Sequence, residues 1–259
     1  MIRDILARSN REVLERHAGS RTLLAFDFDG TLAPIVADPD RAAMRPSTRR
    51  LLRELARECP CVVISGRSRA DVVRRLHGMK LAGVVGNHGL EPSRAAVGAR
   101  RTVRGWLPRL QERLGGIQGV VIEDKGLSLA VHYRRARNKG QARARILAAA
   151  APLGKARLMG GKLVLNILPA GAPHKGVALE RERTRLGCDT AVYVGDDETD
   201  EDVFALDRPR QLLAIRVGRA RSSSAAYYVR TQAEIDGLLR SLLTLGPGPT
   251  ARRNARARR

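Results

Sequence analysis

Five short apolar segments, separated by longer segments with helical spacing, constrain the fold of this chain more than any other feature. The apolar segments are rich in Val, Ile, Leu and Ala, and they cover residues 22–26, 61–64, 83–85, 191–194 and 212–217. The segments between them repeat apolar residues at helical intervals and cover residues 48–58, 69–76, 176–186 and 200–206. Strands that alternate with helices indicate a parallel sheet with helices on both faces. We therefore predict an α/β fold with a Rossmann-like, doubly wound parallel sheet.

Three of the predicted helices begin with a Ser or Thr that is followed three residues later by an acid. This spacing is typical of a helix N-terminus. The pairs are Ser68 with Asp71, Thr199 with Asp202, and Thr231 with Glu234. They support helices that start near these positions.

The middle of the chain breaks the alternation. From about residue 98 to residue 168 the pattern reads helix, strand, strand, helix, strand, strand, and the strands are predicted at 120–123, 127–133, 156–159 and 163–168. The two strands of each pair are joined by segments short enough for hairpins, so they must be antiparallel. We expect a small α+β unit at residues 96–170, inserted into a core formed by residues 1–95 and 171–245.

Composition excludes several classes of protein. The chain has 259 residues, of which 43% are hydrophobic, and its three cysteines lack the spacing of a zinc site or a disulfide framework. No segment approaches the roughly 18 apolar residues needed to cross a bilayer. The first helical segment, 2–17, is charged throughout, unlike a signal peptide. We therefore expect a cytoplasmic protein without a membrane partner.

The net charge of +22 suggests an anionic partner, such as nucleic acid, an anionic membrane or a phosphorylated substrate. The arginines are scattered over nearly every predicted helix, however, and a general bias toward Arg gives the same charge. Only residues 251–259 form a dense basic run, and we expect residues 246–259 to be a disordered tail. Because aromatic residues make up only 3% of the chain, we expect no specific nucleic-acid partner.

Asp27 and Asp29 are the most informative polar residues, because they directly follow the apolar segment 22–26. Side chains alternate along a strand, so two acids two residues apart point to the same side. Acids at the carboxyl end of a strand lie where open α/β sheets bind ligands, and one can act as a nucleophile while the other transfers protons. The alternative is a turn with solvated acids.

Three more polar groups follow the strand segments or open the next helix. Ser65 follows the second apolar segment, Lys175 begins the helix after the inserted unit, and Asp196 and Asp200 follow the fourth apolar segment. Parallel strands place their carboxyl ends on one edge of a sheet, so these residues can meet. Each has an ordinary alternative: a turn, a solvated lysine, or an acidic first helical turn. Their joint occurrence in this chain order favours one site.

The acidic residues suit a metal ion. A phosphate monoester carries about two negative charges and is repelled by a carboxylate nucleophile, and a divalent cation removes that repulsion. Asp27, Asp196 and Asp200 supply the hard oxygen ligands that Mg²⁺ prefers. We therefore predict a Mg²⁺ cofactor.

The other residues fit phosphoryl transfer to an aspartate. Ser65 and the backbone N–H groups near Thr31 can hold the phosphoryl oxygens, and Lys175 can neutralise developing charge. Asp29 can protonate the leaving alcohol and then activate water.

These motifs resemble those of the haloacid dehalogenase-like phosphatases: Asp-x-Asp-Gly-Thr, a strand-end Ser, a helix-start Lys and Gly-Asp-Asp-x-x-x-Asp. More narrowly, the chain is similar to the trehalose-6-phosphate phosphatase family from residue 23 to residue 229. The segments 86–91 and 123–125 are the family-specific part of this similarity. The resemblance implies a haloacid dehalogenase-like core with an inserted cap domain that closes over a sugar phosphate.

The resemblance also implies a role for each matching residue. Asp27 is the implied nucleophile, which forms an aspartyl-phosphate, and Asp29 is the implied general acid and base. The implied phosphoryl-binding residues are Ser65 and Lys175. The implied metal ligands are Asp27, the Asp29 carbonyl, Asp196 and, through water, Asp200. The implied substrate-binding residues are Thr31, Arg67, Asn87, His88, Glu123, Lys125 and Asn166.

Two positions in the second cap hairpin depart from the family pattern. The family usually has a Glu where Asn166 stands and a basic residue where Leu168 stands. That Glu is thought to contact sugar hydroxyls, and an Asn keeps hydrogen-bonding capacity without the strength of a charged acceptor. His132, in the first cap hairpin, is interpreted as structural.

We predict a monomeric, Mg²⁺-dependent phosphatase that converts trehalose 6-phosphate to trehalose and phosphate. The nearest alternative is the same reaction on a sucrose, mannosylglycerate or glucosylglycerol phosphate. A receiver-type signalling module uses similar residues, but its phosphorylated Asp lies on a later strand than its acidic pair. A basic nucleic-acid-binding protein is the third possibility, favoured only by the charge.

Overall fold

The computed structural model describes residues 2–19, 21–206, 210–220 and 222–245. The tail predicted at residues 246–259 lies outside these residues. Every helix in the described part of the chain is too short or too polar to cross a lipid bilayer.

The secondary structure follows the predicted alternation, with an insertion in the middle. The first elements are β1 (Arg3–Asp4), α1 (Arg11–Arg16), β2 (Thr22–Phe26), α2 (Pro46–Glu58), β3 (Cys61–Ile64), α3 (Arg69–Arg75) and β4 (Gly83–Val85). The inserted unit contains α4 (Ala96–Leu114), β5 (Val121–Asp124), β6 (Leu129–His132), α5 (Lys139–Ala150), β7 (Ala156–Gly161) and β8 (Val164–Pro169). The last elements are α6 (Lys175–Arg185), β9 (Thr190–Gly195), α7 (Glu201–Phe204), β10 (Leu212–Val217), β11 (Tyr227–Val229) and α8 (Ile235–Leu245).

Seven parallel strands form the main sheet, in the order β1-β11-β10-β9-β2-β3-β4. All five residues of β2 are buried, and they alternate between the two faces. Leu24 and Phe26 pack in a core that includes residues of α2 and α8, whereas Leu23 and Ala25 pack in a core that includes residues of α6. The prediction of a doubly wound α/β sheet is confirmed.

The inserted unit has its own antiparallel sheet, in the order β5-β6-β8-β7. Leu165 and Ile167 of β8 pack on one face of this sheet with Trp106 of α4 and Ile146 of α5. Leu168 instead packs in a smaller apolar cluster with residues of the main core. The predicted order of two helices and four strands is therefore observed, while the boundaries at residues 96 and 170 stay a prediction.

The structure differs from the sequence prediction at the helix starts and the sheet edge. Ser68 caps α3 as predicted, but near Thr199 the cap is Asp197, whose side chain accepts the Thr199 N–H. The helix predicted at 200–206 is therefore a short 3₁₀ turn followed by α7. Thr231 forms no side-chain cap. The segment 2–17, interpreted from the sequence as helical, contains strand β1 and is α-helical only at Arg11–Arg16. Strands β1 and β11 were not predicted, because two or three residues are too few to show a period.

Candidate active site

Three buried carboxylates lie together at the carboxyl edge of the main sheet. Asp27 follows β2, Asp196 follows β9, and Asp200 lies on the turn that leads into α7. One oxygen from each carboxylate lies within 4.8 Å of the other two. The pairing of β2 with β9 brings these residues together although they are far apart in the sequence.

Two glycines leave the space that this carboxylate cluster occupies. Gly30 has φ +80°, in the left-handed region that favours glycine, and a Cβ at this position would overlap the Asp196 carboxylate. A Cβ at Gly195 would likewise overlap the Asp200 carboxylate. Both positions therefore need glycine for the cluster to form.

Lys175, the first residue of α6, neutralises part of this charge. Its Nζ donates to Asp200 Oδ1 at 2.8 Å and lies 3.1 Å from Asp27 Oδ1. Burial by itself would lower the pKa of Lys175, but the carboxylates of Asp200 and Asp27 outweigh burial and hold that pKa well above its ordinary value. Lys175 is therefore a permanent cation between two carboxylates.

Asp200 organises the loop after β9. The Asp200 carboxylate accepts hydrogen bonds from Lys175 and from the Tyr193 hydroxyl, the latter at 2.6 Å. It also accepts the backbone N–H groups of Asp196 and Asp197, at 2.8 and 3.0 Å. A carboxylate offers about four acceptor positions, and these donors fill them. The Asp200 carboxylate therefore holds this loop, and its predicted metal role through water stays a prediction.

The carboxylate cluster fits a hard divalent cation. Burial raises the pKa of Asp27 well above its ordinary value, although the Lys175 ammonium opposes this shift. Burial, with the carboxylates of Asp200 and Asp197, raises the pKa of Asp196 to about 7. Burial is the main cause of both shifts, and the three carboxylates also carry more charge than the two nearby ammonium groups offset. A cation such as Mg²⁺ would offset this charge, and Asp27 and Asp196 are placed to hold it.

Lys162 is a residue of this site that the sequence did not single out. It lies in the turn between β7 and β8, and its Nζ donates to Asp196 Oδ2 at 2.7 Å. Arg216 of β10 also reaches Asp196, and its guanidinium donates to the backbone carbonyl at 2.7 Å. In the sequence Lys162 looks like an ordinary solvated turn lysine, so nothing local indicates this contact.

Asp29 lies outside the carboxylate cluster and is paired with Arg67. Its two oxygens accept hydrogen bonds from Arg67 Nε at 2.6 Å and Nη2 at 2.7 Å. The two residues follow the neighbouring strands β2 and β3. The sequence predicted Arg67 as a substrate-binding residue, whereas the structure places its guanidinium on the predicted general acid.

Ser65 and Thr31 are buried at the same edge. The Ser65 hydroxyl accepts the backbone N–H of Arg67 at 3.2 Å. Thr31 is fully buried, and its hydroxyl has no hydrogen-bond partner in the described part of the chain. A buried hydroxyl without a partner is costly unless a ligand supplies one. The Thr31 hydroxyl therefore has hydrogen-bonding capacity left for a ligand.

His88 is held in an unusual backbone conformation beside Ser65. Its φ is 57°, a value that costs a non-glycine residue about 1–2 kcal/mol, and its ring packs against Gly66. Burial, with the ammonium groups of Lys125 and Lys175, lowers the pKa of His88 well below its ordinary value. The ring is therefore a neutral imidazole, and neither ring nitrogen forms a hydrogen bond with a described residue.

Asn87 connects the main core to the inserted unit. Its Oδ1 accepts the Ser128 hydroxyl at 2.6 Å, and its Nδ2 donates to the Lys125 carbonyl at 3.4 Å. Lys125 in turn donates to the Gly66 carbonyl at 3.1 Å. The loop between β5 and β6 therefore lies directly over the end of β3.

Glu123 and Asn166 come from the sheet of the inserted unit. Glu123 Oε2 lies 2.8 Å from His132 Nε2, so the histidine interpreted as structural holds a predicted substrate residue. Asn166 is buried on β8, and its side chain approaches the imidazole of His88. The structure thus brings the predicted site residues of both units to one edge of the main sheet.

A parallel sheet with an inserted antiparallel sheet and a buried acidic cluster at its carboxyl edge defines a class of capped α/β proteins. The family model described as "Trehalose-phosphatase" matches residues 25–233. The chain therefore belongs to the trehalose-phosphatase family.

Named relatives agree with this assignment. A trehalose-phosphate phosphatase of Mycolicibacterium paratuberculosis is 37% identical over 204 residues, which are 72% of this chain and 51% of that protein. A probable trehalose-phosphate phosphatase D of Arabidopsis thaliana is 31% identical over 260 residues, 90% of this chain and 70% of that protein. This chain thus spans about half the length of the bacterial relative.

The fold has solved counterparts. The C-terminal domain of a C. albicans trehalose-6-phosphate phosphatase superposes with a TM-score of 0.77 at 23% identity, over 91% of this chain and 97% of that domain. A haloacid dehalogenase-superfamily sugar phosphatase, BT4131, superposes with a TM-score of 0.55 at 14% identity, over 85% of this chain and 97% of that chain. These similarities confirm the haloacid dehalogenase-like fold with a cap.

Proposed function

We propose that this chain is a Mg²⁺-dependent phosphatase that hydrolyses trehalose 6-phosphate to trehalose and inorganic phosphate. The observation that carries the proposal is the buried cluster of Asp27, Asp196 and Asp200 with Lys175, at the sheet edge covered by the inserted unit. Family membership supports the substrate class, because relatives over most of this chain are named trehalose-phosphate phosphatases.

The proposed reaction proceeds in two steps. An oxygen of Asp27 attacks phosphorus, the bond from phosphorus to the sugar oxygen breaks, and Asp29 gives its proton to that oxygen. Asp29 then takes a proton from water, the water oxygen attacks phosphorus, and the bond to Asp27 breaks to release phosphate. Mg²⁺, when bound, would offset the negative charge between the phosphate and Asp27. Lys175, Ser65 and Thr31 would bind the phosphoryl oxygens.

The inserted unit is proposed to bind the sugar. In support, Lys125 lies against Asn87, Asn166 lies beside His88, and the charge of Arg67 acts on Glu123. Because the unit covers the carboxylates, it would also exclude bulk water during the reaction.

Another sugar phosphate is the second candidate, and the observation that favours it is the chemistry of Asn166. This buried amide lacks the charge of the Glu that is usual in the family, and Leu168 is buried in an apolar cluster where a basic residue is usual. The sugar contacts of this chain therefore differ from the family pattern.

A phosphate-release assay over a panel of sugar phosphates tests the proposal. We expect kcat/KM for trehalose 6-phosphate to exceed that for sucrose, mannosylglycerate and glucosylglycerol phosphates by about tenfold or more. If kcat/KM for one of the other three sugar phosphates is equal or higher, trehalose 6-phosphate is not the preferred substrate. No release from any of them would refute the phosphatase proposal itself.

We also propose that the protein acts as a cytoplasmic monomer. All predicted site residues belong to one chain, and the three cysteines are buried, with none in a disulfide, as is usual in a reducing compartment. Light scattering at several concentrations would measure the mass, and a dimer would contradict the proposal.

A further inference from the structure

The guanidinium of Arg67 is nearly saturated with protein contacts. Its Nε and Nη2 donate to Asp29, its Nη1 donates to Asp71 Oδ2 at 2.8 Å, and its Nη2 also donates to the Pro39 carbonyl at 2.8 Å. Four of the five N–H donors of an arginine are thus used. In this arrangement Arg67 has little capacity left for a substrate.

Asp71 fixes Arg67 from the opposite side. It lies in the first turn of α3, where the Ser68 hydroxyl accepts its backbone N–H at 3.3 Å. Its carboxylate also accepts hydrogen bonds from Arg75, at 2.9 Å, and from Arg74. Arg75 is itself anchored, because it donates to the Ala42 carbonyl at 2.6 Å.

The pKa of Asp71 and the burial of both side chains indicate that Asp71 and Arg67 are held firmly in place. Burial would raise the pKa of Asp71, but the hydrogen bonds from Arg75 and Arg67 lower it to about 2. The side chains of Arg67 and Asp71 are only 13% and 17% exposed. A bidentate pair from a guanidinium to a carboxylate is also directional, unlike a contact from an ammonium.

The carboxylate of Asp29, by contrast, has hydrogen bonds with Arg67 and with no other residue that the structure describes. It is also more exposed, at 37%. Arg67 therefore determines where this carboxylate lies, and Asp71 determines where Arg67 lies.

We propose that Asp71 is a positioning residue for proton transfer, which acts on Asp29 through Arg67. This inference rests on the proposed function. For Asp29 to give its proton to the leaving sugar oxygen, one of the two Arg67 hydrogen bonds must open. Because Asp71 and the Pro39 carbonyl hold the guanidinium, Arg67 stays in place while Asp29 turns to the substrate and returns. Without Asp71 the guanidinium would move with Asp29, and the carboxylate would lose its fixed position.

Substrates with different leaving groups distinguish a positioning role of Asp71 from a merely structural role. A sugar oxygen leaves as an alkoxide unless it is protonated, so cleavage of a sugar phosphate needs Asp29 as an acid. A p-nitrophenolate leaves without a proton. Since kcat/KM reports only the steps up to the departure of the alcohol or phenol, it does not include the later activation of water. A misplaced Asp29 should therefore lower kcat/KM for a sugar phosphate alone.

The test compares the unaltered protein with its Asp71→Asn variant on trehalose 6-phosphate and p-nitrophenyl phosphate. General acid–base catalysis contributes about 10²–10⁴-fold, so partial loss of positioning should lower kcat/KM for the sugar phosphate by about 10–100-fold and that for the aryl phosphate by less than about threefold. The matched control is Asp189→Asn, which removes the carboxylate of the exposed Arg21–Asp189 pair. We expect this control to change neither value.

Equal losses on the two substrates, or no loss on either, would overturn the positioning role. If thermal unfolding shows that Asp71→Asn does not fold, Arg67→Lys tests the same link, because an ammonium cannot form the bidentate pair. We expect Arg67→Lys also to lower kcat/KM more for the sugar phosphate than for the aryl phosphate. An equal decrease on the two substrates would again overturn the inference. If the proposed function itself is wrong, the unaltered protein will release no phosphate from any sugar phosphate. That outcome is distinct from an equal loss in the variant.

Discussion

At the scale of single residues, the sheet edge is organised by buried charge. Asp27, Asp196 and Asp200 are each 4% exposed or less, and Lys175 is 1% exposed. Buried charges are costly unless they are paired and hydrogen-bonded. Here three carboxylates lie beside the ammonium groups of Lys175 and Lys162, and the remaining negative charge favours a bound cation.

Asp27→Asn tests the covalent mechanism. We expect phosphate release to fall below detection, because an amide cannot attack phosphorus as a carboxylate does. The shape of the side chain is retained, so the far-UV circular dichroism should not change. A folded Asp27→Asn protein with appreciable activity would refute an aspartyl-phosphate.

Gly30→Ala tests the space needed by the carboxylate cluster. The added Cβ would overlap Asp196, and φ +80° strains any residue other than glycine, so we expect a loss of about 1–3 kcal/mol in unfolding free energy and loss of activity. The control is Gly105→Ala in α4, where a Cβ meets nothing within 4 Å. This change should raise the unfolding free energy by about 1 kcal/mol, measured by denaturant titration.

At the scale of elements, the β5–β6 hairpin links the inserted unit to the carboxyl edge of the main sheet. Its backbone is fixed by antiparallel pairing, and Lys125 in its loop donates to Gly66 beside Ser65. Burial would raise the pKa of Glu123, but His132 and then Lys125 lower it, so this carboxylate is ionised and can accept bonds from sugar hydroxyls.

Glu123→Ala and Lys125→Ala should mainly weaken selectivity among sugars. Neither residue belongs to the carboxylate cluster, so we expect the preference for one sugar phosphate over the others to fall about 10-fold, with a smaller effect on p-nitrophenyl phosphate. The control is Glu112→Ala on the exposed face of α4. If both variants keep the original preference among sugar phosphates, this hairpin does not determine sugar specificity.

At the scale of the whole molecule, the inserted unit lies closed against the main core. Outside the carboxylate cluster, Arg157 of β7 donates to both oxygens of Asp202 on α7 at 2.8 and 2.6 Å. Their side chains are 30% and 24% exposed. This pair connects the inserted unit to α7, the helix that directly follows Asp200.

Arg157→Gln should shift the protein toward an open arrangement. A partly exposed pair contributes about 0.5–1 kcal/mol, so we expect KM for the sugar phosphate to rise about two- to fivefold. The double variant Arg157→Asp with Asp202→Arg should restore KM, whereas Arg21→Gln at a distant pair should leave it unchanged. If the double variant does not restore KM, the Arg157–Asp202 ion pair does not hold the inserted unit closed.

Stability without metal should depend on pH in a defined direction. The folded-state pKa of Asp196, about 7, lies above its ordinary value of 3.8, so the folded protein binds more protons between these values. The stabilising contribution of protonated Asp196 is therefore complete below about pH 4 and lost as the pH rises through about 7, on the order of 2–4 kcal/mol.

Mg²⁺ should reverse this loss, because it binds the ionised carboxylates of the folded state. We expect Mg²⁺ to raise the melting temperature more at about pH 8 than at about pH 5, and a chelator to abolish phosphate release. The pH dependence should be weaker in Asp196→Asn. A melting temperature that Mg²⁺ does not change at the higher pH would contradict the metal site.

Much of this organisation is present in the sequence because it is local. The period of apolar residues specified the strands, the glycines marked where they end, and the acids after β2 and β9 carried the chemistry. Because parallel strands share a carboxyl edge, Asp27, Ser65, Lys175 and Asp196 could be predicted to meet. The short strands β1 and β11 could not, since they carry too few residues to show a pattern.

The partners of each side chain were decided only by the tertiary structure. Arg67 and Asp29 are 38 residues apart, and Lys162 and Asp196 are 34 apart. Such contacts depend on which strands become neighbours and on how the inserted unit packs over them. The sequence by itself determined the alternation of strands and helices and the polar residues at the strand ends, because backbone periodicity and turn chemistry act over a few residues. Packing between distant segments decided that Arg67 holds Asp29 and that Lys162 reaches Asp196.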